Sequence, residues 1–202
     1  MATTTRKKNL AKLTKLGFKV AASLPTKRGA TKLRSAKAIT ARFSALRALF
    51  LWVASPERLT RKIELRSAMT PSERTIYALP RDKARAQIES IGWRLENMWP
   101  LAWMLGFDEE PSASGDMIEG DTVRALLAFE PAKKVRSERA VLDLEDLFYC
   151  AHNAARSAQL GGKTAPKGFH PIAGTGVIHE RRHALTWAVS PKVAWDDTDL
   201  ST

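Results

Sequence analysis

Apolar and polar residues alternate along the chain with the period of α-helices. Apolar positions three or four residues apart predict a first helix that ends at Gly17, a residue suited to a helix C-terminus. The same spacing predicts a second helix over 36–54, with Ser35 as its cap. Another helix is expected to begin at Ser55-Pro56, because proline fits the first position of a helix.

The middle of the chain carries the strongest helical pattern. Thr70 and Glu73 have the spacing of a capping box and predict a short helix after Thr70. A longer helical run is predicted over 81–106. Pro100 lies within this run and lacks a backbone N–H, so we expect a kink or a break near Asn97.

The second half of the chain alternates helices with loops rich in glycine, proline and serine. The clearest loop is acidic and covers 107–120. The predicted helices cover 121–129, a stretch from about 141 to the glycines at 161–162, and 177–189.

No convincing alternating strand pattern is present, so the predicted fold class is all-α. A chain of 202 residues suits one full-sized core. We therefore predict a single compact domain over 1–202 with about six to eight helices. Within it, 1–34 form a basic N-terminal helix and loop and 35–202 form the main helical core. The C-terminal segment is expected to be extended and to pack back on the helices.

The cysteine content and the length of the apolar stretches indicate where in the cell the protein is expected. The single cysteine, Cys150, rules out an internal disulfide and suits a reducing, cytoplasmic location. It is interpreted as a small core residue. The most apolar stretch, 48–54, falls far short of the roughly 20 residues that span a bilayer. We expect no membrane contact.

The positive charge is confined to one end of the chain. Residues 1–56 hold 13 Lys and Arg and no acid, whereas the rest holds 20 basic and 21 acidic residues. Such an arm suits contact with nucleic acid. The alternative is that the charges lie on the solvated faces of two helices, which the apolar spacing favours.

His179-Glu180-Arg181-Arg182-His183 has the spacing of a zinc-protease helix. Two histidines one turn apart would share a face, and Glu180 would activate a water. Two cations inside the motif, the lack of a third ligand at the usual spacing and the few residues that follow oppose this interpretation. We expect no metal and no cofactor.

Several tryptophans fall at helical spacing within amphipathic segments. We interpret them as aromatic anchors of the core, since each ring buries a large apolar area. The predicted anchors are Trp93, Trp103, Trp187 and Trp195.

Six segments in a fixed order carry a resemblance to a known family. They include "LRSAKAITARFSAL" at 33–46, "IGWRLENMWPLAWMLGF" at 91–107, "GVIHERRHALTWAV" at 176–189 and the closing "WDDTDLST". Through these segments the chain resembles the bacterial domain-of-unknown-function family 4272, over nearly its whole length. The resemblance implies that the basic region forms the domain's own first helices. It implies no activity.

Charged residues within these segments form one candidate cluster. It serves either as a pocket for an anion or peptide, because arginine binds carboxylate and phosphate bidentately, or as an internal ion-pair network. We favour the network. The cluster comprises Arg94, Glu96, Asp146, Arg156, Glu180, Arg181, Asp196 and Asp197.

The network would fix the end of the chain. We predict that Trp195 packs between the last helix and the tryptophan-rich helix. Asp196 or Asp197 would accept hydrogen bonds from Arg181, Arg94 or backbone amides. With catalysis disfavoured, we expect a non-enzymatic cytoplasmic protein that binds a protein partner. The alternatives are nucleic-acid binding through 1–56 and, least favoured, zinc hydrolysis.

Overall fold

Nine α-helices and one 3₁₀ helix follow one another in the part of the chain that the computed structural model describes, residues 4–26, 32–54, 61–131 and 135–201. The helices are α1 (Thr4–Lys15), α2 (Ala36–Ala54), the 3₁₀ helix (Ile63–Ala68), α3 (Pro71–Ala78), α4 (Arg81–Arg85), α5 (Ile88–Ile91), α6 (Arg94–Met104), α7 (Gly120–Ala128), α8 (Glu138–Gln159) and α9 (Ala173–Ala188).

The main hydrophobic core lies where α8 and α6 pack against α9 and α2 packs against α6. A second, smaller core joins the C-terminal half of α2 to the 3₁₀ helix and to α3, α4 and α5, and in it the rings of Trp52 and Tyr77 meet edge-on. The all-α prediction is confirmed. Within the described ranges, no helix is long and apolar enough to cross a membrane.

Local sequence signals set several helix ends. The Thr70 hydroxyl accepts from the Glu73 backbone N–H and the Glu73 carboxylate accepts from the Thr70 N–H, which is the predicted capping box. Gly17 ends α1 with a φ of 89°, and a side chain there would meet Pro166 at 2.8 Å. Glycine is needed at this position because the backbone is left-handed and the loop passes close by.

The tryptophan-rich run is divided into three helices, which is why the helix count exceeds the predicted six to eight. The interruptions fall at 86–87 and 92–93, where backbone N–H groups bond three residues back, as in Leu95 to Gly92. A kink or a break was predicted near Asn97, and the break does not occur. Helix α6 continues through Asn97 and Pro100, both of them buried, because core packing outweighs the loss of one backbone hydrogen bond.

The two ends of the chain pack on the helical core. Helix α1 lies on α8, so the basic N-terminal region contributes a helix to the domain. The segment 190–201 runs back along α9. The helix predicted to begin at Ser55-Pro56 starts outside the described residues.

Candidate functional site

The two histidines of the zinc-like motif have separate partners. His183 Nε2 lies 3.0 Å from the Trp195 carbonyl oxygen, and His179 Nδ1 lies 3.4 Å from His152 Nε2. Burial lowers the pKa of His179 below its usual value, and lowers that of His183 to about 4. Within the residues described, no group of three or more His, Cys, Asp or Glu side chains is placed to hold a metal.

Glu180 faces α6. Its Oε2 and its backbone carbonyl oxygen each accept a hydrogen bond from Asn97 Nδ2 at 2.8 Å. The carboxylate therefore helps to join α9 to α6.

Arg181 is fully buried and holds three parts of the fold together. Its Nε and Nη2 bond Glu96 Oε2 at 2.8 and 2.7 Å, and its guanidinium lies over the Trp99 ring. Further hydrogen bonds reach the carbonyl oxygens of Ser112 (2.6 Å) and Asp116 (2.8 Å). The 107–119 loop, predicted as part of the acidic loop over 107–120, is thus tied to α9.

Arg182 is also fully buried and holds the end of the chain. It donates to the carbonyl oxygens of Leu200 (2.8 Å) and Ser201 (3.3 Å). Its Nη1 also lies 2.7 Å from His152 Nδ1. Sequence reasoning treated Arg182 only as an obstacle to zinc. The signal it missed was a pair of arginines in a helix that also carries many apolar residues.

Arg42 forms a second buried ion pair, which the sequence did not predict. Its two Nη atoms lie 2.6 and 2.8 Å from the two carboxylate oxygens of Glu73, and Arg94 Nε lies 3.3 Å from the same carboxylate. Burial opposes ionisation of Glu73, but the hydrogen bonds and charges of Arg42 and Arg94 outweigh it and hold its pKa below the usual range.

The remaining predicted residues do not join one cluster. Asp146 binds Arg6 at 2.7 Å and Asn9 at 2.9 Å, which fastens α1 to α8. Arg156 is exposed and bonds Gln159 in its own helix. The predicted set is therefore distributed over separate ion pairs at separate helix contacts.

Trp195 is buried, but its surroundings differ from the prediction. Its ring meets His183 and Trp187 of α9 edge-on, and the Arg42 guanidinium of α2 lies 3.9 Å from its centroid. The second element in contact is thus α2, where we had predicted the tryptophan-rich helix. The Trp103 ring is likewise buried, against Arg136. The prediction of Trp93 as a core anchor is wrong: it is 38% exposed, with its ring edge near Gly176.

The predicted role of Asp196 and Asp197 is wrong. Both are exposed, and neither carboxylate accepts a hydrogen bond within the described part of the chain. Arg181 and Arg94 are held by Glu96 and Glu73 instead. The end of the chain is fixed by donation to its backbone carbonyls, including that from Arg34 to Ser190 at 2.7 Å.

Cys150 is fully buried in α8. Burial raises the pKa of its thiol to about 12. The thiol is protonated at neutral pH and is a poor nucleophile.

A cavity of about 480 Å³ opens on the smaller core. We call it the arginine pocket; it is lined by Trp52, Arg61, Ile63, Arg66, Tyr77, Ala78 and Arg81. The guanidinium carbons of Arg61 and Arg81 lie 4.6 and 4.7 Å from the centroid of the Trp52 ring. None of these described lining residues is acidic.

Sequence reasoning missed the arginine pocket because it placed the basic charge in residues 1–56. A local count would have found it, since residues 58–85 contain eight Lys and Arg against three acids. The pocket forms because Trp52 contacts arginines that precede and follow the 3₁₀ helix in the sequence. The periodicity of apolar residues does not reveal these contacts.

The arginines and the lysines of the basic N-terminal region lie in different environments. Its described arginines are used within the fold: Arg6 and Arg42 form ion pairs, Arg34 binds backbone carbonyls, and Arg47 binds Phe129 and Glu130. The lysines of α1 are exposed, and they are Lys7, Lys8, Lys12 and Lys15.

The fold and its contacts define an all-helical domain whose helices are joined by buried arginines. The chain matches the family described as domain of unknown function (DUF4272) over residues 5–198, and it belongs to that family. No curated protein and no solved structure matches the chain.

Proposed function

We propose that this protein is a non-enzymatic binding domain that takes an acidic segment of a protein partner in the arginine pocket. One observation carries the proposal: Arg61 and Arg81 lie over the same indole ring of Trp52, with Arg66 on the same cavity. Three arginines on one cavity provide charge complementarity for an anionic group.

Electrostatics supports an anionic ligand. Guanidinium groups attract an anion through their positive charge. Each guanidinium also presents a fork of N–H donors that fits a carboxylate bidentately. Ile63, which is 72% exposed on the same cavity, offers an apolar contact to a neighbouring side chain of the partner.

The environment of the reactive side chains supports a binding role over a catalytic one. Arg181 and Glu180 already hold neighbouring helices and loops through hydrogen bonds. The Cys150 thiol is buried with a raised pKa. These groups stabilise contacts between elements rather than face the arginine pocket.

Anisotropy of labelled short peptides tests the proposal. A peptide rich in Asp and Glu with one aromatic residue is compared with its Asn and Gln counterpart. We expect binding of the acidic peptide only, weakened roughly tenfold, or about 1.4 kcal/mol, by Arg61→Gln and again by Arg66→Gln. Lys62→Gln is the matched control: it removes an adjacent exposed charge that does not line the pocket.

Failure of every acidic peptide to bind would overturn the proposal. So would an equal loss in Lys62→Gln and Arg61→Gln, because it would show that overall charge and not the pocket attracts the peptide. Each variant must keep the unfolding midpoint of the parent protein, which separates lost binding from lost folding.

A second candidate function, nucleic-acid binding through residues 1–56, is supported by the exposed lysines of α1. Anisotropy with generic DNA and RNA at low and physiological salt tests it. Binding through these lysines should fall steeply with salt and be lost when all four are changed to Gln. Binding that survives this change but is lost in Arg61→Gln would place nucleic acid at the arginine pocket and count against the acidic-peptide proposal.

A further inference from the structure

We propose that one end of the domain binds the surface of a lipid bilayer that carries anionic head groups. The contact is made by four exposed lysines and two exposed leucines, which we call the lysine surface: Lys15, Leu16, Lys19, Leu160, Lys163 and Lys167. This inference goes beyond the proposed function, since none of these residues lines the arginine pocket. The contact is peripheral and needs no spanning segment, whereas the expectation of no membrane contact was based on the lack of one.

Two segments that are distant in sequence are joined at the lysine surface. One is the end of α1 with the residues after it, and the other is the loop that follows α8. The Lys19 N–H donates to the Thr164 carbonyl oxygen at 2.8 Å. The Phe18 and Phe169 rings meet edge-on beneath the surface, with 5.4 Å between their centroids. These contacts hold the exposed lysines of the two segments next to each other.

The positive charge of this surface is not balanced within the two segments. Residues 1–56 and 147–179 contain no Asp or Glu, so neither segment supplies a carboxylate. Lys12, one turn before the end of α1, pairs with Glu110 at 3.6 Å. The four lysines of the lysine surface form no ion pair within the described part of the chain. Lysines near an anionic membrane strengthen binding by about fivefold each, so four together attract it substantially.

The leucines favour lipid over nucleic acid as the partner. Leu160 is 82% exposed and Leu16 is 41% exposed, and both stand among the lysines. A bilayer accepts apolar side chains below its head groups while the head groups meet the cations. A nucleic acid would contact the lysines through its phosphates, but its bases stack on aromatic side chains, and the lysine surface contains none. Leucine and lysine together therefore fit an anionic bilayer.

Co-sedimentation of the full chain with vesicles tests the inference. One set of vesicles is phosphatidylcholine alone, and the other contains about a quarter phosphatidylserine, which makes its surface anionic. We expect binding to the anionic vesicles only. The affinity should fall from low to physiological salt, because ions screen the lysines from the head groups.

Matched variants locate the contact. Lys19→Gln together with Lys163→Gln should weaken vesicle binding roughly 25-fold, which is about fivefold for each lysine. The control is Lys37→Gln together with Lys192→Gln, which removes two exposed lysines outside the lysine surface and should change the affinity less than about twofold. Leu160→Ala should weaken binding roughly tenfold, because less apolar surface enters the bilayer. Each variant must keep the unfolding midpoint of the parent protein.

Four results would overturn the inference. The first is a failure to bind anionic vesicles, and the second is an equal loss in the two double variants, which would show that overall charge attracts the lipid. The third is vesicle binding that Leu160→Ala leaves unchanged. The fourth is tighter binding of generic RNA or duplex DNA, lost in the Lys19 and Lys163 double variant and retained in Leu160→Ala, which would make nucleic acid the partner. Peptide binding at the arginine pocket is measured separately, so the two proposals fail independently.

Discussion

The imidazole of His183 donates from Nε2 to the backbone carbonyl oxygen of Trp195 at 3.0 Å, and its ring meets the Trp195 indole edge-on at 4.5 Å between centroids. Because a carbonyl oxygen only accepts, this contact fixes the proton of neutral His183 on Nε2. Its Nδ1 is buried and holds no hydrogen bond within the described residues. A second proton there would place a charge in a desolvated site near Arg42.

Stability should therefore depend on pH through His183. Burial first, and nearby positive groups after it, lower its pKa from 6.5 to about 4 in the folded chain. The unfolded chain binds the proton first as pH falls, so the free energy of unfolding should be fully retained above about pH 6.5 and decline between 6.5 and 4. His183→Asn, which keeps a donor and cannot titrate, should reduce that decline in urea unfolding at several pH values.

His179 also has a lowered pKa and contributes to the same window. The His183 variant should for that reason keep part of the pH dependence, while a variant that changes both histidines keeps less. An unchanged slope in His183→Asn would show that His183 does not titrate differently in the folded and unfolded chains.

Trp195 should be a major source of stability at the C-terminal end. Its ring is 7% exposed and contacts Trp187, His183 and the Arg42 guanidinium. Truncation of such a buried aromatic typically costs about 3–5 kcal/mol. Trp195→Ala should lower the free energy of unfolding by an amount in that range, measured by urea unfolding, and removal of residues 191–202 should lower it further.

Trp93→Ala is the matched control for Trp195→Ala, because the Trp93 ring is 38% exposed and buries less area. It should cost clearly less. A truncated protein that melts within a degree or two of the full chain would contradict the role of the C-terminal segment.

The helices were predictable because their signals are local. The capping box at Thr70 and Glu73 lies within four residues, and the apolar faces of α2 and α8 repeat within each helix. The polar contacts were not predictable, because their partners lie far apart in sequence: Arg42 and Glu73 are 31 residues apart and Arg181 and Glu96 are 85. Charge type and periodicity do not say which acid meets which base.

The contacts of the candidate cluster were likewise predictable only in part. The sequence identified Arg181 and Glu96 as network members, and they do pair. It assigned Asp196 and Asp197 to the same network because acids near a chain end suggest salt bridges to arginine. Arg182 and Arg34 donate to the carbonyl oxygens of that end instead, and backbone acceptors leave no pattern in the sequence.

Metal content should be low. One ring nitrogen of His179 contacts His152, and one ring nitrogen of His183 contacts the Trp195 carbonyl oxygen. Elemental analysis of protein purified without a histidine tag should give zinc far below one equivalent, unchanged in His183→Ala. Near-stoichiometric zinc that disappears in this variant would restore the hydrolase interpretation.

The Arg181–Glu96 pair should show strong energetic coupling. Both side chains are almost wholly buried, with 2.7 Å between Arg181 Nη2 and Glu96 Oε2. Removal of one member of a buried pair strands the other charge and typically costs about 3–5 kcal/mol. We expect Arg181→Met and Glu96→Met each to cost this much in urea unfolding. The double variant should cost well below the sum, because no charge is left unpaired.

The double variant should nevertheless remain less stable than the parent protein. Arg181 also donates to the carbonyl oxygens of Ser112 and Asp116, and Glu96 Oε1 accepts from the Ile118 N–H. Methionine at both positions leaves these loop groups without hydrogen-bond partners. Each group that stays buried should then lower the free energy of unfolding by about 1–3 kcal/mol. The 107–119 loop should then exchange its amide hydrogens faster, whereas the exchange of α8 should be little changed. If the stability losses of the two single variants add up to that of the double variant, the two charges do not stabilise each other. Arg181 would then act on stability only through the loop.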